Sequence, residues 1–378
     1  MNRSPSLQKQ LGVKMGMRAQ SSNLLKRGWT TGACALAAFK AAYTAFLTGN
    51  FPDPVGVVLP KGEKPFFPLA LEGKGAGYTQ AGIIKDAGDD PDVTHGAIIV
   101  VTVREGGAGK GVSFHAGEGV GTVTLPGLAL AVGEPAINPK PREMILEVVS
   151  ELADQYDHSG DLIIEVSVPD GEGLAEKTWN KRLGIEGGLS ILGTTGVVQP
   201  FSCSAWIHSI HRGIDVARAN GLNHVAAATG KTSEAAVQKL FGLSDFALVD
   251  MGDFAGGMLK YIRDHPVPCL TIAGGFAKLT KLGQGCLDLH SGRSQVDFDW
   301  LAEGTYKIGG NDQLVKAVRN ANTANHALEI TLQSGLALGN YVARQATEKA
   351  SKVIQGSETA LNVIVFDRTG LKIGVSDA

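Results

Sequence analysis

The stretch RGWTTGACALAAFKAA, residues 27–42, sets a basic residue and a Thr-Thr-Gly turn directly before an alanine-rich segment. Thr30 or Thr31 can cap the helix this composition predicts, Gly32 permits a tight entry, and the free amides of a first turn attract an anion. Arg27, Thr30, Thr31 and Gly32 therefore form a candidate cradle for a carboxylate. Cys34 falls in the same turn, where the helix dipole favours a thiolate. A small residue on a buried face is the competing reading of Cys34, and both stay open.

Five further stretches carry chemistry-bearing residues. AGDDPDVTHG, residues 87–96, gathers Asp89, Asp90 and Asp92 just after Asp86, a set suited to a hard cation or to ordinary Asx turns. GEGVG, residues 117–121, sets Glu118 between glycines, where a carboxylate can serve as a base or simply be solvated. GEPAINPKPREMI, residues 133–145, fixes its backbone with prolines and leaves Asn138 and Arg142, the latter suited to gripping a carboxylate through a bidentate fork. LSILGTTGVVQP, residues 189–200, opens on Gly193, Thr194, Thr195 and Gly196, whose amides and hydroxyls can hold an anion or make a plain turn. ATGKTSE, residues 228–234, invites a nucleotide reading but is not a P-loop, because the glycine required five residues before Gly230 stands at Val225. The GxGxxG fingerprint is absent from this turn too, which counts against a dinucleotide reductase.

The elements that must position these groups differ between the two halves. Residues 1 to about 23 have no hydrophobic period and read as a flexible tail. A helix is predicted from Thr31, strands in VGVVLP, AGIIKD, HGAIIVVTV and DLIIEVSVP, and a helix with an apolar face through Met144, Ile145, Val148 and Leu152. This half, 24–169, reads as α+β. After Pro169 the texture becomes strand, glycine turn and helix, repeated: HVAAATG, TSEAAVQKLFG, FALVDMG, DFAGGMLKYIRDH, VPCLTIAGG. The second half, 170–378, is therefore expected to be a doubly wound, mainly parallel α/β domain, making the whole a two-domain α/β and α+β protein. Ligands of such sheets lie outside the carboxyl ends of the strands, which points at TGKTSE, VDMGD and AGGF. Thr229, Gly230, Glu234, Asp250 and Asp253 become candidate ligand contacts, with an acidic residue such as Asp250 suited to ribose hydroxyls.

Composition narrows the classes. Thirty-five basic against 37 acidic residues, with no long like-charge run, argue against nucleic acid and against a membrane surface. Four scattered cysteines without a CxxC pair argue against a disulfide framework and a zinc site, and no metal is expected. No apolar stretch approaches the roughly 20 residues of a membrane span, and the first residues lack a signal-peptide core. The expectation is a cytoplasmic protein.

In order along the chain, RGWTTGACALAAFKAA, AGDDPDVTHG, GEGVGTVTLPGL, GEPAINPKPREMI, RLGIEGGLSILGTTGVVQP, ATGKTSEAAVQ and Leu289-His290-Ser291 closely resemble the signature blocks of the cobalt-precorrin-5B (C1)-methyltransferase family of cobalamin biosynthesis. The resemblance spans about residues 24–300. It implies transfer of a methyl group from S-adenosylmethionine to ring carbon one of a cobalt-bound, ring-contracted tetrapyrrole in the oxygen-independent pathway, giving cobalt-precorrin-6A. Cobalt would enter only as part of the substrate. On this reading Arg27, Thr30, Thr31, Gly32, Asn138 and Arg142 are expected at the corrinoid. Gly193, Thr194, Thr195, Gly196, Thr229, Gly230, Glu234, Asp250 and Asp253 are expected at the methyl donor, and Glu118, Asp90 and His290 are candidates for proton handling. The partner is the cobalt corrinoid, and a homo-oligomer stays open. The rival readings are a non-catalytic tetrapyrrole carrier, a cysteine-dependent hydrolase or acyltransferase using Cys34 with His115 or His290, and the dinucleotide reductase that the missing fingerprint disfavours.

Overall fold

The computed structural model describes residues 25–376, so the tail expected at the amino end lies outside the described residues. The alanine-rich segment forms α1 (Thr31–Thr48), and its first fifteen residues are almost entirely buried. Small side chains let strands β2 (Tyr78–Ile84) and β3 (Ile98–Glu105) press close along its length. Those two strands belong to a five-stranded sheet completed by β1 (Leu71–Gly75), β4 (Val112–Ala116) and β5 (Leu162–Ser167), in the order β1-β2-β3-β5-β4. Alternate residues of the central strands, Ala81 and Ile83, Ile99, Val101 and Val103, and Leu162, Ile164 and Val166, join α1 in one core. Helix α2 (Pro139–Tyr156) adds Met144, Ile145, Val148 and Leu152 to the same core, as its apolar period predicts.

Strand pairings tie residues beyond Pro169, where the texture of the sequence changes, to the amino-terminal half. Ile185–Glu186 pairs with Thr122–Val123, Leu189 and Ile191 bridge Val120 and Ile137, and Val197–Val198 pairs with Gly28–Trp29. Residues 185–198 thus run as an irregular ribbon through the amino-terminal half. These pairings join positions far apart in sequence that no local signal records.

Beyond this ribbon lies a second five-stranded sheet: β6 (His224–Ala228), β7 (Leu248–Asp250), β8 (Cys269–Gly275), β9 (Ala360–Phe366) and β10 (Lys372–Val375). Its order is β7-β6-β8-β9-β10, with the first four strands parallel and β10 antiparallel at the edge. Both faces are covered, unequally. Val225, Ala227, Val249, Leu270, Ile272 and Val363 pack under α3 (Cys203–Ala219) and the helices that follow β7. Ala226, Ala228, Leu248, Ala273 and Ile364 pack mainly under α4 (Lys231–Phe241). Helix α5 (Ala255–Asp264) leads into β8, and α6 (Phe276–Gly283) follows it directly. Four more helices, α7 (Phe298–Lys307), α8 (Asp312–Arg319), α9 (Ala324–Gln333) and α10 (Leu338–Val353), fill the long crossover to β9. Helix α3 and strand β10 carry no reading from sequence. No helix among the described residues is long and apolar enough to cross a membrane.

Candidate functional site

The strand order reverses between β6 and β8: the chain leaves β6 toward β7 on one side and returns to β8 on the other. Loops that diverge from neighbouring strands open a crevice at their carboxyl ends. It has two lobes sharing Thr229, Gly230, Lys231 and Lys278. The larger, about 390 Å³, is walled also by the Gly275–Lys278 turn, Thr323 to Asn325 and Phe366 to Arg368. The smaller, about 240 Å³, is walled by Asp250, Gly252, Asp253, Phe254 and Trp206.

The local sequence explains its shape. A side chain added at Gly230 or Gly275 would meet nothing within 4 Å, so bare backbone faces the cleft at both strand ends. The first-turn amides of Lys231, Thr232 and Ser233 precede any intrahelical acceptor. Lys278, in the first turn of α6, donates to the Thr229 carbonyl at 2.8 Å and lies 3.0 Å from Asp253 Oδ1. The latter is an ion-pair contact without hydrogen-bond alignment, so that buried carboxylate oxygen makes no hydrogen bond. Asp250 Oδ1 accepts from the Gly252 amide at 3.2 Å. Burial foremost, then Glu234, raises the Asp250 carboxyl above its ordinary range, with Gly252, Arg182 and Lys278 pulling the other way.

Of the residues singled out from sequence, Thr229, Gly230, Asp250 and Asp253 meet in this crevice. Glu234 does not line it: its carboxylate takes two hydrogen bonds from Arg182, at 2.9 and 2.7 Å. Gly193 to Gly196 are not with the donor candidates either. Their loop lies against the start of α1, where the Gly196 carbonyl accepts from Thr30 N and a side chain at Gly193 would strike Thr30.

The helix start itself is closed. Thr30 Oγ1 accepts from Ala33 N, Gly32 N donates to the Leu192 carbonyl, and Thr31 Oγ1 exchanges hydrogen bonds with Leu192. Thr30 and Thr31 are buried, so these groups build the fold instead of an open carboxylate cradle. Arg27 alone of that set is exposed. Arg142 is likewise engaged: it binds Glu134 at 2.8 Å and the carbonyls of Ile137 and Pro135, with its guanidinium over Phe114. Asn138 precedes α2 without a side-chain capping bond.

Asp90 accepts from the Phe201 amide at 2.8 Å and ties its loop to the entry of α3. Its neighbours are also committed: Asp86 to Lys26 and Gly88, Asp89 to the Lys26 amide, and Asp92 to Lys85 and Thr94. Among the described residues no group of carboxylates, histidines or cysteines is arranged to hold a metal. Glu118 is exposed, away from the crevice lining. Its flanking Gly119 has φ +68° and leaves no room for a side chain beside the Val168 carbonyl. His290 is exposed, and its Nδ1 accepts from Gly292 N, closing a turn. Cys34 is fully buried, and burial pushes its thiol up to about 12, which removes it as a nucleophile.

Lys231, Lys278, Trp206, Phe254, Asn325 and Arg368 complete the crevice without having been singled out. Lys278 lies three residues past the AGG turn that the strand-end rule indicates. Trp206 sits on a helix that no sequence signal linked to the strand ends.

A family model described as CbiD matches residues 18–200, and one described as CbiD, C-terminal domain, matches residues 288–377. The chain is 60% identical over 353 residues to the cobalt-precorrin-5B C(1)-methyltransferase of Brucella anthropi, covering 93% of this chain and 96% of that protein. It is 60% identical over 346 residues to the protein of the same name from Brucella canis, covering 92% and 94%. It also matches the crystal structure of cobalamin biosynthesis protein (cbiD) from Archaeoglobus fulgidus, with 28% identity, a TM-score of 0.38 and coverage of 67% of this chain and 77% of that one.

Proposed function

The chain belongs to the CbiD family, and we propose that it methylates carbon one of cobalt-precorrin-5B, using S-adenosylmethionine held in the crevice at the ends of β6 to β9. The product is cobalt-precorrin-6A. In this reading the protein has two domains, dividing near residue 200, and the second is doubly wound. The observation that carries the donor assignment is the bare backbone at Gly230 and Gly275 on either side of the strand-order reversal, with Asp250 ending the adjacent strand.

S-adenosylmethionine, when bound, supplies a methyl group on a positively charged sulfur, which leaves with the C–S electron pair as the ring carbon forms its new C–C bond. The protein's work is then alignment rather than nucleophilic attack. Asp250 offers a carboxylate to ribose hydroxyls, and Asp253, held by Lys278, adds negative charge where a cationic donor is favoured. The first-turn amides of α4 together with Lys231 suit a donor carboxylate. Exposed Arg27 and half-buried Asn138 remain with the amino-terminal half as contacts for the acidic side chains of the corrinoid.

The test is incubation with cobalt-precorrin-5B and S-adenosylmethionine carrying a carbon-13 methyl. The label is expected at ring carbon one by nuclear magnetic resonance. No incorporation by folded protein would sink the reading and leave a carrier role in its place.

A further inference from the structure

Trp206 is 40% exposed at the lip of the smaller lobe, yet its ring is held on several sides. Its Nε1 donates to the Asp250 carbonyl at 3.1 Å. Trp179 meets it edge to face with centroids 5.4 Å apart, and Phe254 lies tilted at 6.3 Å. Gly252, at φ +53°, passes beneath, and a side chain there would come within 3.4 Å of the indole. A rigid aromatic surface left open to water loses the stabilisation its burial would bring, and flat apolar ligands recover it by stacking. Trp179 comes from the segment that runs with the amino-terminal half and Trp206 from the first helix of the second, so the pair spans the join between them.

Cationic side chains lie near this surface. Lys231 lines the same lobe. Arg293, paired with Asp288 at 2.7 Å, lies near Cys203, one turn before Trp206 on α3. Arg27 is exposed beside Gly88, in the loop whose Asp90 holds the Phe201 amide at the entry of that helix. A planar apolar surface with Lys231 in its lobe and Arg293 beside its helix, opening onto Asp250, fits a flat macrocycle bearing carboxylate arms.

We propose that the Trp206 indole, backed by Trp179, is the seat on which the tetrapyrrole ring stacks beside the donor crevice. This rests on the methyl-transfer reading above. Trp206 is then a positioning residue for the acceptor, while Asp250 serves the donor.

The probe is cobyrinic acid, a stable cobalt corrinoid with free carboxylates, titrated against the full chain while tryptophan emission is followed. In the unsubstituted protein the corrinoid should quench the Trp206 component, obtained as the difference from Trp206→Phe. Trp206→Leu should weaken corrinoid binding about tenfold, the scale of one lost aromatic stacking partner, while Trp206→Phe stays within about threefold. A cooperative thermal melt reports that both variants fold, and the loss in Trp206→Leu should be larger for the corrinoid than for S-adenosylmethionine, whose lobe Trp206 also walls. If Trp206→Leu fails to fold, the quenching difference decides. An unquenched Trp206 component, or equal corrinoid affinity in Trp206→Leu, overturns the seat. If labelled methyl still reaches ring carbon one in that case, the methyl-transfer reading survives and only the seat is lost.

Discussion

Arg182 grips Glu234 through two hydrogen bonds, 2.9 and 2.7 Å long, joining the turn Asn180–Leu183 to the first turn of α4. The contact ties the ribbon of the amino-terminal half to the helix whose start opens onto the crevice. Glu234 therefore braces the start of α4 instead of lining the crevice. A fork–fork pair of this kind, with side chains 30% and 13% exposed, is stronger than a surface ion pair.

A double-mutant cycle with Arg182→Ala and Glu234→Ala should return a coupling of about 1–3 kcal/mol in denaturant unfolding. Glu234→Gln should keep S-adenosylmethionine affinity within about threefold. A coupling near zero, or a large donor defect in Glu234→Gln, would return Glu234 to the ligand shell.

The buried Lys85 ammonium is held by Asp92 and by Thr94 Oγ1 at 2.7 Å. Burial would raise the Asp92 carboxyl, but Lys85 and the Thr94 hydroxyl and amide together bring it below its ordinary value of 3.8. A lowered folded pKa stabilises the protein at higher pH, and that stability is lost as the pH falls below 3.8 through the folded value. Lys85→Ala strips Asp92 of its cation and should cost about 3 kcal/mol. Its acid limb should also be shallower than that of the unsubstituted chain, because without Lys85 burial of Asp92 is no longer outweighed and its folded carboxyl is no longer held so far down. Urea midpoints measured against pH check both, and an unchanged acid limb would show that the pair does not hold the loop.

With its thiol pushed to about 12 by burial, Cys34 should resist iodoacetamide at neutral pH, whereas exposed Cys203 should react first. Peptide mapping after brief alkylation distinguishes them. Cys34→Ala should retain methyl transfer within about twofold and lose about 1 kcal/mol of stability from imperfect packing. A complete loss of turnover in a folded Cys34→Ala would restore the nucleophile.

What the sequence made legible was local. The Thr30 cap, the apolar face of α2 and the strand-turn-helix rhythm from His224 to Phe276 all follow from residues within one turn or one strand of each other. Thr229, Gly230, Asp250 and Asp253 were legible as strand ends, since a glycine or an acid after a short apolar run marks where a parallel strand stops. The remainder depended on pairings distant in sequence. Nothing near Gly193 records that it packs on Thr30, and nothing near Arg142 records that Glu134 and two carbonyls already occupy its guanidinium. A polar residue in a motif looks free until its partners are known. That is why the helix entry read as a cradle and proved to be a closed joint.

Asp250 tests whether function and stability oppose each other at the crevice. Burial, reinforced by Glu234, raises its carboxyl, so the folded state binds that proton more tightly than the unfolded chain does. The ionised form then costs stability at neutral pH, and the cost is relieved as the pH falls through the raised folded value. Asp250→Asn removes the charge while keeping the shape and an acceptor for the Gly252 amide. It should raise Tm by about 1–3 °C and weaken S-adenosylmethionine binding by about tenfold through loss of a charged acceptor. In the unsubstituted protein, donor affinity should fall as the pH drops from neutrality through that raised value, and in Asp250→Asn this dependence should flatten. Calorimetric titration across that range together with thermal melts reads both quantities on one sample. A variant that is less stable yet binds the donor normally would mean that Asp250 serves the fold, and the donor carboxylate would have to be sought at Asp253.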